Sequence, residues 1–523
     1  MGLIEQKEIF IVPTLNWIGK EKIVNHHQDV PYKVLEKKYT FNAEDSENMI
    51  IHGDNLLALK SLLPKYEGMI DCIYIDPPYN TGNEKWIYND NVNDPKIKKW
   101  LGDVVGQEGE DLSRHDKWLC MMYPRLQLLY KLLSERGVIL ISIDNNELNY
   151  LKMICDEIFG ASNFIDIIIW NKKSGAKGVP PKNMMVNVHE YILVYQKSNL
   201  FKFQGEQRDL QKEGFKNPDN DPRGPWRMSN IKSTTKSLDD AFTIVNPETG
   251  KEYKNTWAFS KESLDKMIAE KRILWKESLP KQKEFFYELT NENKAIKSSW
   301  GVFDPQSTTM YLKEILPKVK FDNPKPISLI DYIIEVATNK NSIVLDSFAG
   351  SGTTAHSVLN LNNKDNGQRK FILIEMLDYA ETITAQRVKC VINEKNNSIS
   401  NNKTLNFTFY ELGENFFDSD GNINESIDEA EIRKYIYYTE TKKEISNQKF
   451  DDNDYYLGKD NDAAYYFYYK KDKVTELNRD FLSTIKTKVS NYIIYADICS
   501  LSKALMMKLG ITFKKIPRDI TRF

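Results

Sequence analysis

Two acidic strand ends, far apart in the chain, carry the side chains best placed for chemistry. The first is Asp76, which follows the apolar, β-branched run Met69–Ile75 and opens the tetrapeptide Asp76-Pro77-Pro78-Tyr79. A run of this kind reads as a buried strand. A carboxylate at the carboxyl end of a buried strand sits where open α/β sheets place their ligands. Pro77 pushes Asp76 into extended backbone, and neither proline carries an N–H, so the turn presents acceptors with few donors. Tyr79 adds a flat ring beside them. Acceptors next to a stacking ring suit the exocyclic amino group of an extruded base. The competing reading is a strand-terminating turn without chemistry.

The second acidic residue is Asp346, within the apolar run Ser342–Phe348. Gly350-Ser351-Gly352-Thr353-Thr354 follows, and then a helical pattern over Ala355–Leu361. A glycine-rich strand-to-helix turn lets a ligand approach the backbone beneath a helix N-terminus. The loop lacks the lysine of a triphosphate-binding loop and the third glycine of the dinucleotide fingerprint. About twenty residues on, Phe371–Ile374 predicts a third buried strand ending at Glu375, the offset at which an acidic residue can hold two ribose hydroxyls. Together these features point to a nucleoside without phosphates. S-adenosyl-L-methionine has that chemistry.

Phe348-Ala349-Gly350-Ser351-Gly352-Thr353 resembles the cofactor motif of S-adenosylmethionine-dependent DNA amino-methyltransferases, and Asp76-Pro77-Pro78-Tyr79 resembles their catalytic motif. The catalytic motif comes first, the order of the permuted beta group. His52-Gly53-Asp54-Asn55-Leu56, Asn80-Thr81-Gly82, His189-Glu190-Tyr191, Lys325-Pro326 and Lys514-Lys515-Ile516-Pro517-Arg518-Asp519 resemble stretches of the modification subunit of type III restriction-modification systems. The resemblance implies a site-specific adenine-N6 DNA methyltransferase using S-adenosyl-L-methionine. It further implies double-stranded DNA as partner, a homodimer, and a restriction (helicase-nuclease) subunit as a further partner.

By the same resemblance, Asp76, Pro77, Pro78 and Tyr79 serve the target base. Asp54, Lys325, Pro326, Asp346, Phe348, Gly350, Ser351, Gly352, Thr353 and Glu375 serve the cofactor. Glu375 would hold the ribose, Gly350 to Thr353 would surround the methionine moiety, and Lys325-Pro326 would lie near its carboxylate. Asp54 would sit near the adenine or the methionine end, although Gly53-Asp54-Asn55 reads equally as a turn and helix cap before Leu56–Leu63. Asp at the head of the catalytic motif favours adenine over cytosine N4, where Ser is commoner. A specificity protein with a decayed methylase core is the rival from another class. The intact acidic residues and glycines of both motifs argue against it.

The chain has 523 residues, 41% of them hydrophobic, and a formal charge of −2. That length suits several domains, or one large catalytic domain with insertions. No apolar run reaches the ~18 residues needed to cross a bilayer. The start MGLIEQKEIF lacks the features of a signal peptide. Cys72, Cys120, Cys155, Cys390 and Cys499 show no C-x-x-C spacing, and His52, His115, His189 and His356 no metal-ligand spacing. A cytoplasmic protein without membrane contact or structural zinc is expected. Lys and Arg exceed Asp and Glu over 171–310, and the balance reverses over 401–460. The basic stretch is expected to meet DNA, with Arg208, Arg223, Arg227 and Arg272 as candidates for pairing with guanine edges. Trp226, Trp257, Trp275 and Trp300 are expected mainly to pack a small β-rich core.

Alternating strands and helices imply an α/β fold with a doubly wound, mostly parallel sheet. By resemblance this is a Rossmann-like methyltransferase of permuted motif order. Its expected segments are an N-terminal extension (1–45), a catalytic half (46–195), a target-recognition insertion (196–310), a cofactor-binding half (311–395) and a C-terminal α+β region for dimer or partner contacts (396–523). Strands are expected at Met49–His52, Val138–Ser142, Ile165–Trp170 and Tyr191–Tyr195, and helices at Tyr123–Leu133 and Glu147–Phe159, with Pro124 in a first turn or at a kink. Residues 80–117 read as a long loop.

Overall fold

The computed structural model describes residues 14–80, 113–173, 184–289, 293–398, 405–445 and 452–518. Two compact units emerge, one formed by Met1–Phe203 with Lys297–Phe523 and the other by Gln204–Ile296. A ten-stranded sheet organises the larger unit. Its strands are β1 (Lys33–Phe41), β2 (Met49–His52), β3 (Ile70–Ile75), β4 (Leu133–Ile143), β5 (Phe164–Lys172), β6 (His189–Gln196), β7 (Ser299–Phe303), β8 (Ile343–Asp346), β9 (Lys370–Glu375) and β10 (Phe407–Asn415). Their spatial order is β1-β10-β2-β9-β8-β3-β4-β6-β5-β7. The six strands from β10 to β4 are mutually parallel. β6 runs antiparallel to both β4 and β5, β7 joins β5 in parallel, and β1 closes the other edge antiparallel to β10. The α/β class with a mostly parallel sheet follows from the near-continuous apolar runs of β3, β8 and β9, since parallel strands are buried on both faces.

The helices that serve this sheet are α1 (Asn55–Tyr66), α2 (Ser113–Leu132), α3 (Leu148–Cys155), α4 (Pro305–Ile315), α5 (Ile327–Ala337), α6 (Thr353–Asp365) and α7 (Gln386–Ser398). Leu59 and Leu62 of α1 and Trp118, Leu126 and Leu129 of α2 share one core with Ile73, Ile75, Ile139, Ile141, Ile372 and Ile374. The alternate residues Cys72, Tyr74, Val138 and Leu140 are also buried, as the period of a strand requires when both faces are covered. α6 packs with α5, α7 and β9.

Several boundaries differ from the sequence expectation. Lys33–Phe41, left in an N-terminal extension, is an edge strand, and Phe407–Asn415, left in the C-terminal region, lies inside the sheet beside β2. The helix after Asp76-Pro77-Pro78-Tyr79 already starts at Ser113, so Pro124 sits well inside it and not in its first turn. Residues 81–112, most of the expected long loop, lie outside the described residues. So do Thr81, Gly82 and Asp519 of the resembling stretches.

The smaller unit, Gln204–Ile296, is narrower than the expected insertion because β7 already belongs to the large sheet. Short antiparallel strands, among them Trp226–Asn230 with Lys281–Phe285 and Phe242–Val245 with Glu252–Asn255, surround one helix, Lys261–Ala269. Ile231, Ile244, Tyr253, Trp257, Leu264 and Ile273 form its core, with Trp275 packed against it. Trp257 and Trp300 are buried, so packing is their role. The four arginines expected to meet guanine edges are engaged by carboxylates of the unit itself. Arg208 pairs with Glu213 at 2.6 Å, Arg223 with Asp221 at 2.8 Å, Arg227 with Glu284 at 2.6 Å and Arg272 with Glu288 at 2.5 Å.

In the C-terminal part, Tyr456–Asp460, Ala463–Phe467, Asn491–Ala496 and Ile511–Lys515 form a four-stranded sheet. Among the described residues, no helix is long and apolar enough to cross a membrane, and no three His, Cys, Asp or Glu side chains cluster as metal ligands.

Candidate active site

β9, β8 and β3 are neighbours and parallel, so their carboxyl ends open on one edge of the sheet. Glu375, Asp346 and Asp76 stand at those three ends. One cavity of about 840 Å³ is lined by all three carboxylates. It is also lined by Pro77, Pro78, Tyr79, Lys325, Pro326, Phe348, Gly350, Ser351 and Thr353. The two motifs, some 270 residues apart in the chain, therefore share a single chamber. Its volume suits a small-molecule site, for which about 300–1,000 Å³ is usual.

At the Asp76 end the site is a buried charge cluster. The Lys325 ammonium approaches Asp76 Oδ1 at 2.9 Å and Glu190 Oε2 at 3.5 Å, and donates to Tyr79 Oη at 2.7 Å. Tyr79 in turn donates to Glu190 Oε2 at 3.1 Å, and Lys172 reaches Glu190 Oε1 at 2.7 Å. Two carboxylates and two ammonium groups thus balance in a setting where an unpaired charge would be costly. Burial lifts the Asp76 carboxyl above its ordinary range, and Lys325 offsets that only in part. Burial acts on Glu190 in the same sense, but Lys325 and Lys172 outweigh it and hold Glu190 below its ordinary range. Burial disfavours the Lys325 ammonium, and its ion pairs with Asp76 and Glu190 more than compensate. The tetrapeptide is anchored from below by Trp118, whose indole N–H donates to the Pro78 carbonyl at 2.7 Å. Asn80 donates to the buried Glu147 carboxylate, which also meets His115 at 2.6 Å.

At the other end, Gly350 and Gly352 both adopt left-handed backbone, with φ of 52° and 79°. A side chain at Gly352 would be strained and would press on Thr384, so glycine is required there. Glu375 ties the loop to β9, accepting from Gly350 N at 2.7 Å and from Leu377 N at 3.0 Å. Asp346 ties it to β8, accepting from Phe348 N at 3.0 Å and Thr354 Oγ1 at 2.5 Å. Burial pushes both carboxyls up to about 7. Phe321 and Tyr379, edge to face at 5.4 Å, line the cavity beside Gly350.

The raised Asp346 carboxyl has a consequence for stability. A carboxyl that holds its proton more tightly in the folded chain stabilises it fully below the unfolded pKa of 3.8, and that contribution is lost as pH rises through about 7. Asp346→Asn removes the titration. Its stability relative to the unsubstituted protein should therefore rise by roughly 2 kcal/mol between about pH 5 and about pH 8. Denaturant unfolding of both proteins at the two pH values measures this, and parallel pH profiles would refute it.

The structure does not bring every expected residue to the cavity wall. Asp54 caps α1, accepting from Leu56 N at 2.7 Å, and lies 3.5 Å from Arg125, so the helix-cap reading describes its position. Gly352 shapes the loop but is not among the lining residues. Lys325, expected near the cofactor carboxylate, has its ammonium on Asp76. Sequence reasoning missed Glu190, Lys172, Trp118, Phe321 and Tyr379 as site residues. Only Glu190 gave a signal, as part of the His189-Glu190-Tyr191 resemblance.

The model of a family described as DNA methylase matches residues 70–386, a span that contains both motifs. The Mod subunit of the type III restriction-modification enzyme StyLTI of Salmonella typhimurium is 34% identical over 373 residues, covering 68% of this chain and 55% of that protein. The EcoPI Mod subunit of Escherichia phage P1 is 33% identical over 419 residues, 69% of this chain and 63% of its own length. The type II methyltransferase M.KpnI of Klebsiella pneumoniae is 32% identical over 371 residues, covering 65% of this chain and 85% of that protein. The chain thus spans less than two thirds of the two Mod subunits. With Asp76-Pro77-Pro78-Tyr79 and the glycine loop both inside the matched span and facing one cavity, the chain belongs to the DNA methylase family.

Proposed function

We propose that this chain transfers a methyl group from S-adenosyl-L-methionine to adenine N6 of a base flipped out of double-stranded DNA, as the modification subunit of a type III restriction-modification system. The observation that carries the reading is the shared cavity, with acceptors and a tyrosine at one end and a glycine loop with an acidic strand end at the other. The cavity residues fit a nucleoside cofactor. Glu375 offers a carboxylate for ribose hydroxyls, Phe321 and Tyr379 offer ring faces, and no lysine of a phosphate loop is present. When bound, the cofactor supplies an electrophilic methyl group on sulfonium sulfur.

Adenine N6 is a poor nucleophile because its lone pair is delocalised into the ring. Asp76 and the Pro77 carbonyl each accept one N6–H bond, which draws the nitrogen toward tetrahedral geometry and localises the lone pair. Tyr79 stacks on the base, an interaction worth roughly 1–3 kcal/mol. Lys325 counters the effect of burial on Asp76 and so favours the ionised form, the form that accepts. Positioning and electrostatics supply the rate, with no covalent enzyme intermediate. DNA incubated with the protein and methyl-labelled S-adenosylmethionine should acquire label, and unlabelled DNA would overturn the reading.

Glu375→Ala should weaken S-adenosylmethionine binding by about 1.5–3 kcal/mol, the range for hydrogen bonds to a charged group. Unchanged affinity by calorimetry in the folded variant would mean that the ribose is held elsewhere. The reading extends to a homodimer in the cytoplasm with a restriction subunit as partner, supported by the type III likeness and by five free cysteines. Light scattering should return twice the 60.9 kDa chain mass, and a single species of that mass with and without DNA would contradict the dimer.

A further inference from the structure

Nine residues other than glycine adopt left-handed backbone among the described residues, and eight of them are exposed. Asn80 is the ninth, with φ of 58° and no exposed surface. A side chain makes this conformation uncommon, although Asn tolerates it better than most. Its place in the chain gives it weight, because it directly follows Asp76-Pro77-Pro78-Tyr79. Pro77 and Pro78 have no N–H to donate, so backbone hydrogen bonds can do little to fix this segment. Side chains do it instead. Trp118 holds the Pro78 carbonyl at 2.7 Å, Glu190 accepts from the Tyr79 hydroxyl at 3.1 Å, and Glu147 accepts from the Asn80 side chain.

Glu147 is fully buried and stands at the N-terminus of α3. An acidic side chain there ordinarily serves its own helix by accepting from an N–H of the first turn. Glu147 makes no such bond. Its carboxylate turns to Asn80, and the same oxygen meets His115 Nδ1 of α2 at 2.6 Å. The His115 ring packs on Tyr150 of α3 at 4.7 Å, which ties the two helices together behind the carboxylate. A buried carboxylate is costly, so its partners, and not its own helix, account for its position. We propose that Glu147 is a positioning residue: it holds Asn80 in left-handed backbone and so sets where the Pro77 carbonyl and the Tyr79 ring face the cavity. This rests on the methyl-transfer reading, in which Asp76 and the Pro77 carbonyl must both reach one nitrogen. A misplacement of about 1 Å in such a pair can cost about a hundred-fold in rate.

The rate of labelled methyl transfer to DNA and the calorimetric affinity for S-adenosylmethionine, both measured on the full-length protein, test the proposal. Glu147→Met, unbranched and without an acceptor, should lower kcat by about ten-fold or more and leave cofactor affinity within about two-fold. Glu147→Gln keeps an acceptor oxygen and should retain most of the turnover. Position 80 gives the sharper contrast. Glycine enters left-handed backbone freely and alanine does not, so Asn80→Gly should turn over at least about five-fold faster than Asn80→Ala, although both lose the amide. Adding Asn80→Gly to Glu147→Met should recover much of the lost rate. The two variants at position 80 decide the matter if Glu147→Met does not fold. Equal rates for Asn80→Gly and Asn80→Ala, or a parallel loss of kcat and cofactor affinity in Glu147→Met, would overturn the role of Glu147. If every variant matched an active unsubstituted protein, the positioning role would be refuted while the methyl-transfer reading stood. An unsubstituted protein that binds the cofactor and methylates no DNA would refute both.

Discussion

Asp76→Ala is expected to lower methyl-transfer turnover by about a hundred-fold or more while leaving S-adenosylmethionine binding and DNA affinity nearly unchanged. Asp76 follows the end of β3, so its side chain supports no strand pairing, and its ion-pair partner Lys325 retains Glu190 at 3.5 Å and Tyr79 at 2.7 Å. The glycine-loop end of the cavity is held by other residues, with Glu375 and Asp346 tying down the loop. In the proposed mechanism the substitution removes an acceptor used as N6 becomes nucleophilic. A folded variant that keeps more than about a tenth of the turnover falls short of 1.4 kcal/mol of transition-state stabilisation, too little for the assigned role.

Exchanging Gln204–Ile296 for the equivalent unit of a related enzyme is expected to change the DNA sequence methylated while preserving the reaction. The unit has its own core and its own sheets. It is also closed at its base, where Asn293–Lys294 pairs with Glu206–Gln207 and brings the entering and leaving chain together. Units with adjacent ends tolerate transfer. The junctions belong at 204 and 296 and not at 196 and 310, because β7 completes the large sheet. Arg208, Arg223, Arg227 and Arg272 of the unit are engaged by its own carboxylates, and its charges almost balance. A folded, active chimera that still methylates the original sequence would place recognition elsewhere.

The central strands and both motifs were legible because they are local. Each combines a short apolar run with an acidic terminus and a turn whose prolines or glycines have few alternatives. The edge strands were not. β1, KVLEKKYTF, is largely polar and exposed in the middle, so it lacks the apolar run that marks a buried strand. The charge cluster was hidden for a different reason. Lys325 reaches Asp76 and Tyr79 from a segment nearly 250 residues away, and Glu190 comes from an antiparallel strand whose register no local pattern states. The ion pairs of the four arginines were also hidden, because their type suggests DNA and says nothing of the nearby or cross-strand carboxylates that engage them.

Mass spectrometry of nucleosides from DNA treated with this protein and methyl-deuterated S-adenosylmethionine tests the central claim most directly. The account predicts deuterated N6-methyladenine, present with the unsubstituted protein and absent with Asp76→Ala. Label in N4-methylcytosine, or no labelled nucleoside from a folded protein that binds the cofactor, would contradict it.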